Sequence, residues 1–182
     1  MFDAKEIKKL LKVLNDELKK MKVKGEVGLC GGAVMCLVFQ TRKATKDIDA
    51  IFEPTREIRK ATQKIARQFG LDETWLNDAA KAYFETEAPR EEVLEFSHLR
   101  VWAPQADYML AMKCISARFD TYDREDVEFL IRYLKLKKPE QVFKIIEKYY
   151  PHRQIPPKTQ FLVEEITLSP EQQVLRSRRR RL

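Results

Sequence analysis

Apolar side chains recur every three or four residues through the first twenty or so positions, separated by lysines and acidic residues. Residues with this spacing lie on one face of an α-helix, so the pattern predicts an amphipathic helix. Asp3 precedes the pattern and suits the N-cap position, and we expect the helix to run to about Lys22. The apolar stripe consists of Ile7, Leu10, Leu11, Leu14, Leu18 and Met21.

The remainder of the chain alternates short apolar runs with longer helical patterns. Pro54 follows one apolar run, and Gly70 follows the helical pattern after it; both residue types interrupt regular structure. Pro139 suits the first turn of a later helix. The predicted strands cover 27–30, 46–53 and 93–102, the predicted helices cover 31–40, 55–69, 105–119, 123–136 and 139–149, residues 75–87 are irregular or helical, and residues 160–168 form a strand or a helix.

This order of elements predicts a small mixed sheet covered by helices, in the α/β or α+β class. We expect residues 1–104 to form the core and residues 105–150 to form a helical part that completes the cleft. The composition changes after Pro151, where Pro156 and Pro157 indicate a linker. Residues 151–182 are therefore expected to be a linker and a basic tail.

The composition predicts a globular protein of the cytoplasm. Hydrophobic residues make up 44% of the 182 positions and charged residues 35%. No apolar run approaches the roughly 18 residues of a membrane span, and the charged first segment is unlike a signal peptide. Three cysteines without a CxxC pair predict buried, reduced thiols, and two well-separated histidines argue against a zinc site.

The positive charge is concentrated at the C-terminus. The net charge is +7, and five arginines in the last seven residues supply most of it. Such a segment favours RNA, because neutralising phosphates releases counterions; a solubilising tail is the alternative. The five residues are Arg176, Arg178, Arg179, Arg180 and Arg181.

Two aspartates, Asp47 and Asp49, stand two residues apart in an apolar run. In a strand, such residues point to the same face, so both carboxylates are expected to project together. Adjacent carboxylates repel each other unless a cation lies between them, and hard oxygen ligands suit Mg²⁺ or Mn²⁺. The pair therefore predicts a metal site, with acids at the start of a surface strand as the alternative.

A glycine pair, Gly31 and Gly32, precedes a short predicted helix upstream of these acids. A glycine turn at the start of a helix can offer backbone N–H groups to phosphate, although it can also be a plain tight turn. Between the glycines and the acids, Arg42 would neutralise phosphate charge, and Thr45 would orient the loop or a phosphate oxygen. Loop residues on a solvated edge are the alternative for both. Together these residues predict a site for a nucleoside triphosphate.

This arrangement resembles the nucleotidyltransferase superfamily, in which a Gly-Gly or Gly-Ser turn and a short helix precede Asp-x-Asp on the next strand. More narrowly, the chain is similar to small bacterial and archaeal members, related to abortive-infection type toxins. The resemblance implies a nucleotidyltransferase-like fold, a triphosphate substrate and a divalent metal. The matching positions are Gly31-Gly32, Arg42-x-x-Thr45-x-Asp47-Ile48-Asp49, Trp75-Leu76-Asn77, the block from Tyr108 to Lys113, Ala117-Arg118, and Asp123 with Asp126.

Many superfamily members carry a third carboxylate on a later strand, for which this chain offers only Glu95 and, at the end of the acidic strand, Glu53. The toxin-like subgroup instead uses a late lysine and a late aspartate, which resembles Lys113 and Asp126. Helical spacing places both of these charges on or beside apolar faces, where charges occur when paired or functional. A buried ion pair that joins two helices is the alternative.

Two functions follow from these residues. The first is a metal-dependent transfer of a nucleoside monophosphate from a triphosphate to RNA, such as tRNA, or to a protein hydroxyl. The second is a non-catalytic module that binds nucleotide, RNA or a partner protein encoded nearby, as in a toxin–antitoxin system.

Overall fold

A computed structural model of the protein describes residues 1–84, 89–116 and 121–168. The strands are β1 (Gly25–Leu29), β2 (Ile48–Glu53), β3 (Leu76–Asn77), β4 (Arg90–Glu95) and β5 (Leu99–Pro104). The helices are α1 (Ala4–Lys20), α2 (Gly31–Leu37), α3 (Thr55–Phe69), α4 (Ala106–Ser116), α5 (Thr121–Tyr133), α6 (Pro139–Tyr149) and α7 (Pro157–Thr167), and a short 3₁₀ helix covers Ala79–Tyr83.

The strands form one mixed sheet in the order β3-β2-β1-β5-β4. Strand β1 is antiparallel to β2 and parallel to β5, β2 is parallel to β3, and β4 is antiparallel to β5. This architecture confirms the predicted fold class. The described residues fall into two compact units that divide after Gln105.

The first unit packs helices α1 and α3 on one face of the sheet. A Cβ atom added to Gly25 on that face would lie 2.8 Å from Leu18 of α1 and 3.2 Å from Ile58 of α3. Helix α1 begins with a reciprocal capping box between Asp3 and Glu6 and ends at Lys20. Its apolar stripe from Ile7 to Leu18 is buried, as the spacing predicted, whereas Met21 lies just past the helix and is half-buried. Helix α3 has the predicted bounds and ends at Gly70, whose φ of 64° is left-handed.

The predicted strand over 93–102 is wrong in one respect, because two antiparallel strands, β4 and β5, occupy the region. The turn between them carries no Asn-Gly or Asp-Gly signal. The backbone N–H of Phe96 donates to Leu99 O at 2.9 Å, and the N–H of His98 donates to Asn15 Oδ1 of α1 at 2.9 Å. A contact with a distant helix thus holds this turn, which local sequence cannot reveal.

The segment predicted as irregular or helical over 75–87 begins with a strand. Strand β3 has only two residues and pairs in parallel with β2, where Leu76 lies beside Ile48 and Asn77 beside Asp49. The 3₁₀ helix follows, started by the N–H of Ala79 donating to Asn77 Oδ1 at 3.0 Å. Residues 85–88 lie outside the described residues.

The second unit is helical. Seven consecutive residues of α4, from Tyr108 to Cys114, are buried, and α5 and α6 pack against this helix. Helix α5 begins at Thr121, two residues earlier than the predicted helix over 123–136. Residues 157–167 form helix α7, and the hydroxyl of Thr159 donates to Cys114 O at 2.7 Å. Among the described helices, none is both long enough and apolar enough to cross a lipid bilayer.

Candidate active site

Strand β2 alternates between the core and a partly exposed face. Ile48 and Ala50 are fully buried, whereas Asp49 and Ile51 are half-buried on the face that α1 and α3 leave uncovered. Asp47 immediately precedes the strand and is also half-buried. The two predicted metal-binding acids therefore flank one core residue, and both have side chains within reach of solvent.

Gly31 lies directly against the carboxylate of Asp49. The N–H of Cys30 donates to Asp49 O at 2.9 Å, which extends the β1–β2 pairing to the start of α2. Gly31 follows with a φ of 58°, and a Cβ atom added there would lie 2.9 Å from Asp49 Oδ2. A residue with a side chain would suffer both the left-handed backbone and this close approach, so the position favours glycine.

Gly32 faces the other two predicted binding residues. A Cβ atom added to Gly32 would lie 2.4 Å from Thr45 Oγ1 and 3.3 Å from an Arg42 guanidinium nitrogen. Thr45 is buried and Arg42 is half-buried. The structure thus brings Arg42, Thr45 and Asp49 around the side-chain-free surface of the glycine pair.

The loop between Arg42 and Asp47 is fixed at two points that the sequence did not indicate. Phe2 and Thr45 exchange two backbone hydrogen bonds, of 2.6 and 2.9 Å. The N–H of Ile48 donates to Trp75 O at 2.8 Å, and the rings of Phe2 and Trp75 are 6.5 Å apart. The N-terminal segment therefore belongs to the support of this site.

Strand register separates the candidate third carboxylates from Asp49. Glu53 pairs with Glu26, Glu26 with Arg100, and Arg100 with Glu95, so Glu53 and Glu95 share one row across the sheet. This row lies four residues from Asp49 along β2, or about 13 Å. Among the described residues, no group of three His, Cys, Asp or Glu side chains could hold a metal.

The donor set at Asp47 and Asp49 nevertheless fits Mg²⁺. This ion is usually bound by one or two carboxylates together with water and substrate phosphates, rather than by a cage of protein ligands. The half-buried Asp49 carboxylate next to the glycine pair meets that description, and the half-buried Asp47 lies two residues before it in the chain.

In the second unit, Lys113 joins α4 to α5. Its ammonium lies 2.9 Å from Asp123 Oδ1 and 2.8 Å from Asp126 Oδ2. Asp123 is in the first turn of α5, and three residues later Asp126 lies on the same helix face. The side chains of Lys113 and Asp126 are 10% and 2% exposed. The two residues therefore form a buried ion pair between α4 and α5, the arrangement named above as the alternative to a role at phosphate.

Other sequence-based expectations lie outside the described residues. They concern Ala117-Arg118 of the superfamily resemblance and the five arginines Arg176, Arg178, Arg179, Arg180 and Arg181.

A family model for a nucleotidyltransferase of unknown function (DUF6036) matches residues 5–152. The chain belongs to this family. The match covers the glycine pair, the aspartate pair and the Lys113 cluster, and it confirms the resemblance to nucleotidyltransferases. No curated protein and no solved structure matches the chain.

Proposed function

We propose that this nucleotidyltransferase family member transfers a nucleoside monophosphate from a nucleoside triphosphate to a hydroxyl group, with Mg²⁺ or Mn²⁺ as cofactor. The observation that carries the proposal is the position of Gly31 against the Asp49 carboxylate, with Arg42 and Thr45 beside Gly32. A carboxylate, a guanidinium and a stretch of backbone without side chains occupy one small region. These are the groups that binding of a metal-complexed triphosphate requires.

The glycine pair would bind the phosphates. Without side chains, Gly31 and Gly32 let phosphate oxygens approach the backbone N–H groups. Arg42 would add a planar, permanently charged donor that can contact two phosphate oxygens at once, and the Thr45 hydroxyl would donate to another.

Asp47 and Asp49 would hold the cation together with phosphate oxygens and water. When bound, the cation supplies charge that stabilises the phosphate oxygens during displacement at the α-phosphorus. In the reaction, the acceptor oxygen forms a bond to the α-phosphorus, the bond to the bridging oxygen of the β-phosphate breaks, and pyrophosphate leaves. The hydroxyl proton passes to water.

For the acceptor we propose RNA, such as tRNA, or a protein hydroxyl. RNA is favoured by the five arginines near the C-terminus. Lys113 would pair with phosphate oxygens, and Asp126 would orient Lys113 or activate the attacking hydroxyl. The ion pair between α4 and α5 is the competing explanation.

The test is transfer of label from α-³²P-labelled triphosphates to total RNA and to protein in the presence of Mg²⁺. Asp49→Asn should lower transfer roughly 100- to 1000-fold, because it weakens the hold on the cation that stabilises the reacting phosphate. Asp72→Asn is the matched control: the same substitution at an exposed loop position of the same unit should leave transfer unchanged. Transfer that survives Asp49→Asn would rule out this mechanism.

A non-catalytic nucleotide- or RNA-binding module is the second candidate. It is favoured by the lack of a third carboxylate next to Asp47 and Asp49 among the described residues. Such a module, acting alone or with a partner protein encoded nearby as in a toxin–antitoxin system, should bind its ligand but transfer no label.

A further inference from the structure

A cavity of about 420 Å³ lies on the same face of the sheet as Asp49. Along β2, the next residue on that face is Ile51, which pairs with Gly28 of β1, and Gly28 in turn pairs with Trp102 of β5. Gly31 and Gly32 follow the C-terminal end of β1, where the β1–β2 pair reaches Asp49, and the cavity lies toward the other end of the pair. The order along the sheet is therefore the glycine pair, then Asp49, then the cavity.

Flat, apolar side chains form one part of the cavity wall. The indole of Trp102 covers Gly28 so closely that a Cβ atom added there would lie 2.3 to 2.6 Å from three ring atoms. Phe84 meets this indole edge-on, with ring centroids 6.2 Å apart, and Ile51 supplies aliphatic surface. Aromatic walls of this kind accept flat heterocycles.

The charges around the cavity are largely compensated. Glu26 accepts a hydrogen bond from Trp102 Nε1 at 2.8 Å and lies 2.7 Å from Arg90. Asp78 lies 2.6 Å from Arg59. Glu53 and Lys81, also at the cavity, carry opposite charges. Balanced charge disfavours a phosphate or an ammonium group and suits a neutral ligand that both donates and accepts hydrogen bonds.

We propose that this cavity binds the nucleobase of the triphosphate. The inference rests on the proposed function, which puts the α-phosphate next to Asp49. Ile51 is two residues further along β2, or about 7 Å, a separation that the ribose bridges. The base would lie against Trp102 and Phe84, with the Glu53 carboxylate accepting from its N–H groups and the Lys81 ammonium donating to its carbonyl or ring nitrogen.

Two substitutions change the cavity and leave the phosphate-binding residues in place. Phe84→Ala removes a wall. Gly28→Ala forces the indole of Trp102 away from β1 and into the cavity. Phe69→Ala is the matched control, because Phe69 is a partly exposed phenylalanine at the end of α3 that does not line the cavity.

The full chain is titrated with Mg²⁺ complexes of tripolyphosphate and of the four triphosphates whose α–β bridging oxygen is replaced by methylene. A triphosphate with a preferred base should bind about tenfold or more tighter than tripolyphosphate, as base–aromatic stacking contributes. Phe84→Ala and Gly28→Ala should each remove most of that advantage and change tripolyphosphate affinity less than about twofold. Phe69→Ala should change neither.

Unchanged triphosphate affinity in both cavity variants would overturn the base site, while a loss of affinity in Asp49→Asn would leave the proposed function standing. If the two cavity variants raised the KM for the acceptor and left triphosphate affinity unchanged, the cavity would be an acceptor site and the base site would be overturned. Failure of the wild-type chain to bind either ligand would overturn both proposals.

Fluorescence offers a second measurement, because the chain has two tryptophans and Trp75 is buried away from the cavity. A base stacked in the cavity should quench the fluorescence of the wild-type chain and not that of Trp102→Phe, whereas tripolyphosphate should quench neither. Equal quenching by both ligands would contradict the base site.

Discussion

At the scale of single residues, Gly31 and Gly70 share one property and differ in another. Both have left-handed backbones, with φ of 58° and 64°. A Cβ atom on Gly31 would meet Asp49 Oδ2 at 2.9 Å, whereas a Cβ atom on Gly70 would meet nothing within 4 Å. The chain therefore contains an internal control that separates backbone strain from crowding of the site.

Gly31→Ala and Gly70→Ala should each cost about 1 kcal/mol of unfolding free energy, because both place a side chain in the left-handed region. Only Gly31→Ala should also abolish label transfer, since its methyl group displaces the Asp49 carboxylate. Urea denaturation and label transfer measure the two effects. Equal loss of transfer in both variants would mean that strain, and not the site, is responsible.

These residues also show how far sequence reasoning reached. The glycine pair, Arg42, Thr45 and Asp49 could be selected because each has a chemical property that phosphate or metal binding needs. Their packing within a few ångströms depends on the β1–β2 pairing and on the loop conformation. The contacts of Phe2 and Trp75 with that loop use backbone atoms, which leave no trace in residue type.

At the scale of elements, the N-terminal segment ties down the loop that carries Arg42 and Thr45. Phe2→Pro should weaken triphosphate binding about fivefold, because it removes the N–H that donates to Thr45 O and so costs about 1 kcal/mol. Phe2→Leu keeps the backbone bond and should bind normally. Calorimetry measures both, and equal binding by the two variants would show that the segment does not support the site.

The stability of a variant that lacks the ion pair between α4 and α5 distinguishes two roles for Lys113. If its main role is structural, Lys113→Met should cost roughly 3 kcal/mol or more of unfolding free energy, because Asp126 is 2% exposed and loses an adjacent ammonium. Lys148 of α6 forms an exposed ion pair with Asp107 of α4, and Lys148→Met should lower the free energy of unfolding by less than about 1 kcal/mol. A Lys113→Met variant of normal stability that loses label transfer would instead support the role at phosphate.

Elements with strong local signals were predicted well, and those fixed by distant contacts were not. Helices α1 and α3 have a continuous apolar stripe together with a capping box or a terminal glycine. Strand β3 has two residues and exists only through its pairing with β2. The β4–β5 turn depends on Asn15 of α1. The residue types within these short segments do not indicate such distant partners.

At the scale of the whole molecule, the family match covers residues 5–152, and the described residues form two compact units. The first unit contains the glycine pair and both predicted metal-binding acids. The sheet face that carries Asp49 has, in order, the glycine pair that we propose binds phosphate, the Asp49 carboxylate, and the cavity beside Trp102 and Phe84. Binding of a metal-complexed triphosphate by Asp49 is the claim on which the functional account depends.

Calorimetric titration with a triphosphate whose α–β bridging oxygen is replaced by methylene tests this claim most directly. The wild-type chain should bind at least about tenfold more tightly with Mg²⁺ than with chelator, a difference of about 1.4 kcal/mol. Asp49→Asn should lose this dependence, and Asp72→Asn should retain it. Affinity that is equal with and without Mg²⁺, or unchanged in Asp49→Asn, would contradict the account.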